Sequence, residues 1–157
     1  MIKSIPVNRP LLGDKERIYL QECIDSGWIS SEGPFVKEFE DQFSEYIGTK
    51  HGVAVSNGSA ALEIAFAAID LKPGDEVILP TFTIISCINP IVRIGATPVL
   101  VDADSKTYNM SAEQIEEKIT EKTKAILVVH MYGLPCDMDP ILSLARKYNL
   151  LIILWFG

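Results

Sequence analysis

The sequence is poor in the residues that build metal centres and disulfide frameworks. Its 157 residues include two histidines, His51 and His130, and three cysteines, Cys23, Cys87 and Cys136. An odd number of widely spaced thiols fits reduced cysteines better than paired ones, and so few nitrogen and sulfur ligands argue against a metal site. Basic charge is also short. Fourteen Lys and Arg stand against 21 Asp and Glu, a formal charge of −7, and no basic cluster reverses the sign locally, which excludes nucleic acid as an expected partner. No run approaches the roughly 20 apolar residues of a membrane-spanning helix, and residues 1–10 lack the apolar core of a signal peptide. A cytoplasmic protein with no membrane partner is expected. The sequence contains no G-x-G-x-x-G, G-x-x-x-x-G-K-[ST], H-E-x-x-H or G-x-S-x-G, so nicotinamide, P-loop, zincin and α/β-hydrolase chemistry lose their usual signatures.

What is present is enough apolar material for the core of one domain, 48% hydrophobic against 22% charged residues. Helical periodicity covers 14–26 and 35–47, separated by a polar, Gly-bearing loop. From His51 onward short apolar runs, at 52–56, 76–79, 98–101, 125–130 and 150–153, alternate with helical segments at 59–69, 84–94, 111–119 and 138–148. Strands alternating with helices of about ten residues imply βαβ crossovers. The expected fold class is therefore α/β, a mostly parallel sheet with helices on both faces. Turn and cap signals support the breaks: Lys72-Pro73-Gly74-Asp75 reads as a turn, Ser111 to Gln114 as a capping box, and Asp139-Pro140 as a cap before an N-terminal proline. The division expected is a helical segment over 1–50 followed by an incomplete large domain over 51–157.

Three strand ends carry candidate chemistry. Val53 to Ser56 runs through Asn57-Gly58-Ser59-Ala60 into an apolar helix, which aims backbone N–H groups and the positive helix end at one spot. Both simple capping by Ser56 or Asn57 and a phosphate cradle fit that pattern. Pro80-Thr81-Phe82-Thr83-Ile84 follows the next strand and offers an aromatic ring and two hydroxyls, for packing and capping or for contact with a flat ligand. His130-Met131-Tyr132-Gly133 ends a later strand, where His130 is either a satisfied core histidine or a site residue. All three fall on the same edge of a parallel sheet, as a cofactor site at a switch point requires.

These residues resemble the DegT/DnrJ/EryC1/StrS sugar aminotransferases, members of the aspartate aminotransferase fold. The resemblance rests on Ile5-Pro-Val-Asn-Arg-Pro10, Ser26-Gly-Trp-Ile-Ser30, Ser56-Asn-Gly-Ser-Ala-Ala-Leu62, Gly74-Asp-Glu-Val-Ile-Leu-Pro80, Gly95-Ala-Thr-Pro-Val99 and His130-Met-Tyr-Gly133. It implies pyridoxal 5′-phosphate as cofactor, a nucleotide-linked 4-keto-6-deoxy sugar as substrate, glutamate as amino donor, and a homodimer. It places the cofactor phosphate on Gly58, Ser59 and Ala60, the ring-covering position on Ile84 or Phe82, and Trp28 and Ser30 near the substrate. It also implies a Schiff-base Lys and an Asp beside the pyridine nitrogen. The Asp is expected after the strand at 150–153, where Trp155 stands, and an indole N–H supplies no negative charge. No Lys of the chain matches the catalytic position. A frame broken near residue 153, leaving an inactive N-terminal fragment, is the expectation. A non-catalytic chain that pairs with a full-length subunit, a dehydratase of the same family, and a flavodoxin-like nucleotide binder are the alternatives.

Overall fold

The computed structural model describes residues 5–6 and 9–156. Val7 and Asn8 of the N-terminal motif, residues 1–4, and Gly157 of the last apolar run lie outside the described residues. The chain divides into two compact units, Met1–Ala54 and Val55–Gly157.

The first unit carries α1 (Asp14–Ser26) and α2 (Pro34–Ile47), within a residue of the bounds expected from periodicity. Pro34 starts α2 at the position where a missing N–H costs nothing. Tyr19 and Phe35 hold the two helices together with ring centroids 5.1 Å apart. The segment after α2 runs back along it, where Glu40 of α2 accepts the Ala54 N–H at 2.8 Å. Gly52 runs so close to the α2 backbone that a Cβ would stand 2.7 Å from the Glu40 carbonyl oxygen. Only glycine fits that crossing.

The second unit is an α/β sheet with α3 (Gly58–Ala68), β1 (Glu76–Pro80), α4 (Asn89–Ile94), β2 (Thr97–Val101), α5 (Ala112–Lys118), β3 (Thr123–His130), α6 (Met138–Tyr148) and β4 (Leu151–Phe156). The four strands are parallel in the order β2-β1-β3-β4. Strand alternation divides the core into two layers. Val77, Leu79, Ala125, Leu127 and Val129 face Leu62 and Phe66 of α3 and Ile91 of α4. Ile78, Val101, Ile126 and Val128 face Ile115 of α5 and Ile141 and Leu144 of α6. Each fully buried Leu, Ile or Phe contributes about 1.5–3 kcal/mol, so the central strands β1 and β3, covered on both sides, anchor the unit. The strand order reverses between β1 and β3, the place where open parallel sheets hold ligands beyond their carboxyl ends.

Several local expectations change. Residues 52–56 are irregular: they form no strand ladder among the described residues. The segment 84–94 is a single 3-10 turn, Ile85–Cys87, followed by α4, because Pro90 suits only a helix start. α6 starts at Met138 rather than after Asp139, its N-cap Asp137 makes no side-chain cap bond, and Pro140 sits in the first turn, where its absent N–H has no intrahelical acceptor to lose. Half of the capping box at α5 forms: Ser111 accepts from the Gln114 N–H at 3.3 Å, while Gln114 Oε1 is buried without a partner. β4 continues through Trp155 to Phe156, in register with Val129 and His130.

Candidate functional site

The N-terminus of α3 combines both roles that its sequence allows. Asn57 is the N-cap, its Oδ1 accepting the Ala60 N–H at 3.0 Å, and its carbonyl accepts the Ala61 N–H at 3.1 Å. Ser56 does not cap; its hydroxyl accepts from Asn57 Nδ2 at 3.1 Å. The cap therefore uses the amide of Ala60, one of the three candidate phosphate residues. The amides of Gly58 and Ser59, first in the helix, have no acceptor within it and point at the same spot as the positive helix end. Two open amides and the Ser59 hydroxyl are the groups that this turn could offer to an anion.

The loop after β1 supplies the next wall. Ser59 Oγ donates to Ser86 Oγ at 2.9 Å, a contact between residues 27 positions apart that no local pattern announces. Ile84 immediately precedes the 3-10 turn and is half exposed. Thr83 Oγ1 and Cys87 Sγ lie 3.1 Å apart, and burial pushes the Cys87 thiol pKa up. Phe82 does not share the cradle contacts: its ring packs on Tyr108 and Tyr132, with centroids 5.5 and 6.2 Å away. Both tyrosines hold positive φ, 59° and 49°, a left-handed conformation that costs roughly 1–3 kcal/mol per non-glycine residue. Three successive loops beyond the sheet edge thus meet in one aromatic cluster, which the sequence reading missed for Tyr108.

His130 is a satisfied core histidine. It is buried, its Nδ1 accepts the Cys136 N–H at 3.1 Å, and its ring meets that of Phe156 edge-on at 5.0 Å. With Nδ1 accepting, the neutral ring carries its proton on Nε2. Cys136 Sγ donates to the Val129 carbonyl at 3.2 Å, and burial raises its thiol pKa too. Asn109, also buried, donates to the carbonyls of Leu134 and Pro135 and accepts the Met131 N–H. These bonds fix the return of the chain after β3.

The residue that decides what the cradle can hold is Trp155. Strand alternation puts it on the α3 side of the sheet, packed against the core layer of Leu62 and Val129. Its six-membered ring covers Gly58: a Cβ there would collide with Cη2 and stand 3.0 Å from Cζ2 and 3.3 Å from Cζ3. Its Nε1 is buried without an acceptor, an arrangement that costs about 1–3 kcal/mol. Gly58 and Ser59 present the open amides that the phosphate of a pyridoxal cofactor would accept from, and the Trp155 ring stands over the neighbouring face of Gly58. Trp28 and Ser30 belong to the first unit, in the loop between α1 and α2, where Gly33 approaches the Trp28 Cβ and the Ser30 carbonyl as a Cβ contact of 3.4 and 3.7 Å would.

Comparison with known proteins gives a consistent picture. The model of the DegT/DnrJ/EryC1/StrS aminotransferase family matches residues 10–154. GDP-perosamine synthase of Caulobacter vibrioides is 52% identical over 152 residues, which cover 97% of this chain and 41% of that protein. Among solved structures, the aminotransferase from Psychrobacter cryohalolentis superposes with a TM-score of 0.84 at 40% identity, over 92% of this chain and 37% of that one. A sugar aminotransferase, Spr1654 from Streptococcus pneumoniae, in a PLP form, superposes at 0.85 and 35% identity, over 95% of this chain and 38% of that one. The chain spans about two fifths of the length of the relatives it matches.

Proposed function

The chain belongs to the DegT/DnrJ/EryC1/StrS aminotransferase family, and on that premise we propose that residues 51–157 are the phosphate-holding side of the large domain of a PLP-dependent sugar aminotransferase. The substrate is a nucleotide-linked 4-keto-6-deoxy sugar, as in GDP-perosamine synthesis, with glutamate as amino donor and a cytoplasmic homodimer as the working form. The observation that carries this is the α3 N-terminus: Asn57 caps the helix through Ala60 and leaves the Gly58 and Ser59 amides open beside the Ser59–Ser86 hydroxyl pair. Identity of 52% to GDP-perosamine synthase of C. vibrioides supports the substrate class.

Each residue's share follows from its place. Gly58 and Ser59 bind phosphate through amides and hydroxyl. Asn57 orients those amides, and the Ser59 hydroxyl, which donates to Ser86 in the unliganded chain, turns to the phosphate when it binds. Ile84, half exposed beside Ser86, covers a ligand ring, since Phe82 is engaged with Tyr108 and Tyr132. Trp28 and Ser30 contact the sugar nucleotide. Trp155 supplies no negative charge for a pyridine nitrogen. Trp155 thereby favours, as a second reading, a non-catalytic chain that pairs with a longer subunit.

A chimera tests the first reading. Residues 1–153 of this chain, joined to the C-terminal remainder of the C. vibrioides enzyme, should transfer the amino group of glutamate to a GDP-linked 4-keto-6-deoxy sugar. A chimera that folds and dimerises yet leaves that sugar unchanged would reject the assignment.

A further inference from the structure

We propose that Asn109 is a latch: its buried side chain joins the loop 102–110 after β2 to the loop 131–137 after β3, so that the two loops open as one cooperative unit. Neither loop includes Gly58 or Ser59, so the latch stands apart from the phosphate reading. Asn109 is 6% exposed and lies 22 to 26 residues from its partners. Its Nδ2 donates to the Leu134 carbonyl at 3.1 Å and the Pro135 carbonyl at 3.3 Å, and its Oδ1 accepts the Met131 N–H at 3.3 Å. An asparagine amide offers two donor hydrogens and an acceptor oxygen, and here both ends of it are committed to the backbone of the other loop.

Asn109 is bound as firmly to its own loop. Its carbonyl accepts the Asp104 N–H at 2.9 Å, and its N–H donates to Thr107 Oγ1 at 3.3 Å. Asp104 Oδ1 in turn accepts the Lys106 and Thr107 N–H groups and the Thr107 hydroxyl, so the turn from Asp104 to Asn109 is one hydrogen-bonded body. Opening either loop alone leaves the Asn109 amide, the Leu134 and Pro135 carbonyls and the Met131 N–H without partners. Buried unpaired polar groups are costly, whereas joint opening gives all of them to water. The least costly opening therefore releases both loops together. Met110 and Cys136 share the core layer under the loops, but apolar contact is non-directional and does not fix one loop on the other. Tyr108 and Tyr132 are the sequence neighbours of Asn109 and Met131, and both hold positive φ, which persists in a non-glycine residue only where its surroundings over-determine it. Both rings pack on Phe82, so the latch also sets the aromatic cluster at the sheet edge.

Native-state hydrogen exchange on the whole ¹⁵N-labelled 157-residue chain tests the latch. Two amides report on the loops: the Tyr108 N–H, bonded to the Asp104 carbonyl in the first, and the Leu134 N–H, bonded to the Met131 carbonyl in the second. Neither N–H bonds to the Asn109 side chain. Ile126, fully buried in β3, reports global stability. Asp104→Ala removes carboxylate bonds that lie within the first loop. It should nevertheless speed exchange at both Tyr108 and Leu134 by about tenfold or more, with Ile126 moving far less. In a chain that also carries Asn109→Ala, the Asp104 change should still speed Tyr108 but leave Leu134 within about twofold of its rate in Asn109→Ala alone. Asn109→Ser takes the place of that variant if the alanine chain loses its helical circular dichroism. An unmoved Leu134 in Asp104→Ala would overturn the latch. So would a Leu134 response that persists without Asn109, or an Ile126 response as large as that of Leu134.

Discussion

The hydroxyls of Ser59 and Ser86 meet at 2.9 Å, one at the start of α3 and the other in the 3-10 turn after β1. The bond takes the Ser59 proton and leaves the Ser86 O–H free to donate, so an anion at the two open helix amides accepts from Ser59 only after the Ser59 hydroxyl turns from Ser86. Ser59→Ala in the chain carrying Trp155→Ala is expected to weaken pyridoxamine phosphate binding by about tenfold or more, since a hydrogen bond to a charged group contributes about 1.5–3 kcal/mol. Because Ser59 is exposed, unfolding free energy should move by no more than about 0.5 kcal/mol. Dialysis and urea denaturation on the same samples separate the two.

Asn57 carries the opposite signature. Its Oδ1 satisfies the Ala60 N–H at 3.0 Å, so Asn57→Ala should cost about 1 kcal/mol of stability, the usual price of an N-cap. Asn57→Ser keeps an acceptor at the cap and should recover most of that loss. The change in urea midpoint for the two variants is the measurement.

The three cysteines differ by environment. Cys87 and Cys136 are buried and burial raises both thiol pKa values, while Cys23 is only partly buried. Raised values mean less thiolate at neutral pH, and the thiolate is the reacting form. Iodoacetamide at pH 7.5 should therefore label Cys23 first in the folded chain, with Cys87 and Cys136 following only after denaturation. Peptide mass spectrometry over a time course would show the order.

Asp104 provides the pH test. Its Oδ1 accepts the N–H groups of Thr107 and Lys106 and the Thr107 hydroxyl, and these bonds hold its carboxyl below the usual range. A depressed folded pKa contributes stability that is present above the unfolded value, about 3.9, and is lost as pH falls through the folded value. Asp104→Asn should accordingly be less stable than the parent at pH 7, and the gap should close as pH drops below about 4. Thermal midpoints at a series of pH values give the comparison.

Much of this architecture is legible in the residues. The alternation of 76–79, 98–101 and 125–130 with helical runs sets the parallel sheet, because strands buried on both faces read as continuous apolar runs. Met138–Tyr148 and Asp14–Ser26 match their periodic segments at both ends. Local signals fail where tertiary partners decide. Val53 to Ser56 has strand composition but no ladder partner. Asp139-Pro140 has cap chemistry, yet the helix begins earlier. At the site, Asn57, Gly58 and Ser59 declare themselves because a strand-to-helix turn has its own residue pattern. Ser86, Tyr108 and the seat of Trp155 on Gly58 do not, since each depends on chain segments from 26 to 97 residues apart that only the folded sheet brings together.

The central claim is that the Gly58–Ser59 turn receives a phosphate. Backbone amide shifts in a ¹⁵N-labelled Trp155→Leu chain, titrated with pyridoxamine 5′-phosphate, measure that residue by residue. The account predicts the largest shifts at Gly58 and Ser59, a smaller one at Ser86, and their loss in the Ser59→Ala variant. Shifts centred elsewhere on the folded chain, with Gly58 and Ser59 unmoved at saturation, would contradict it.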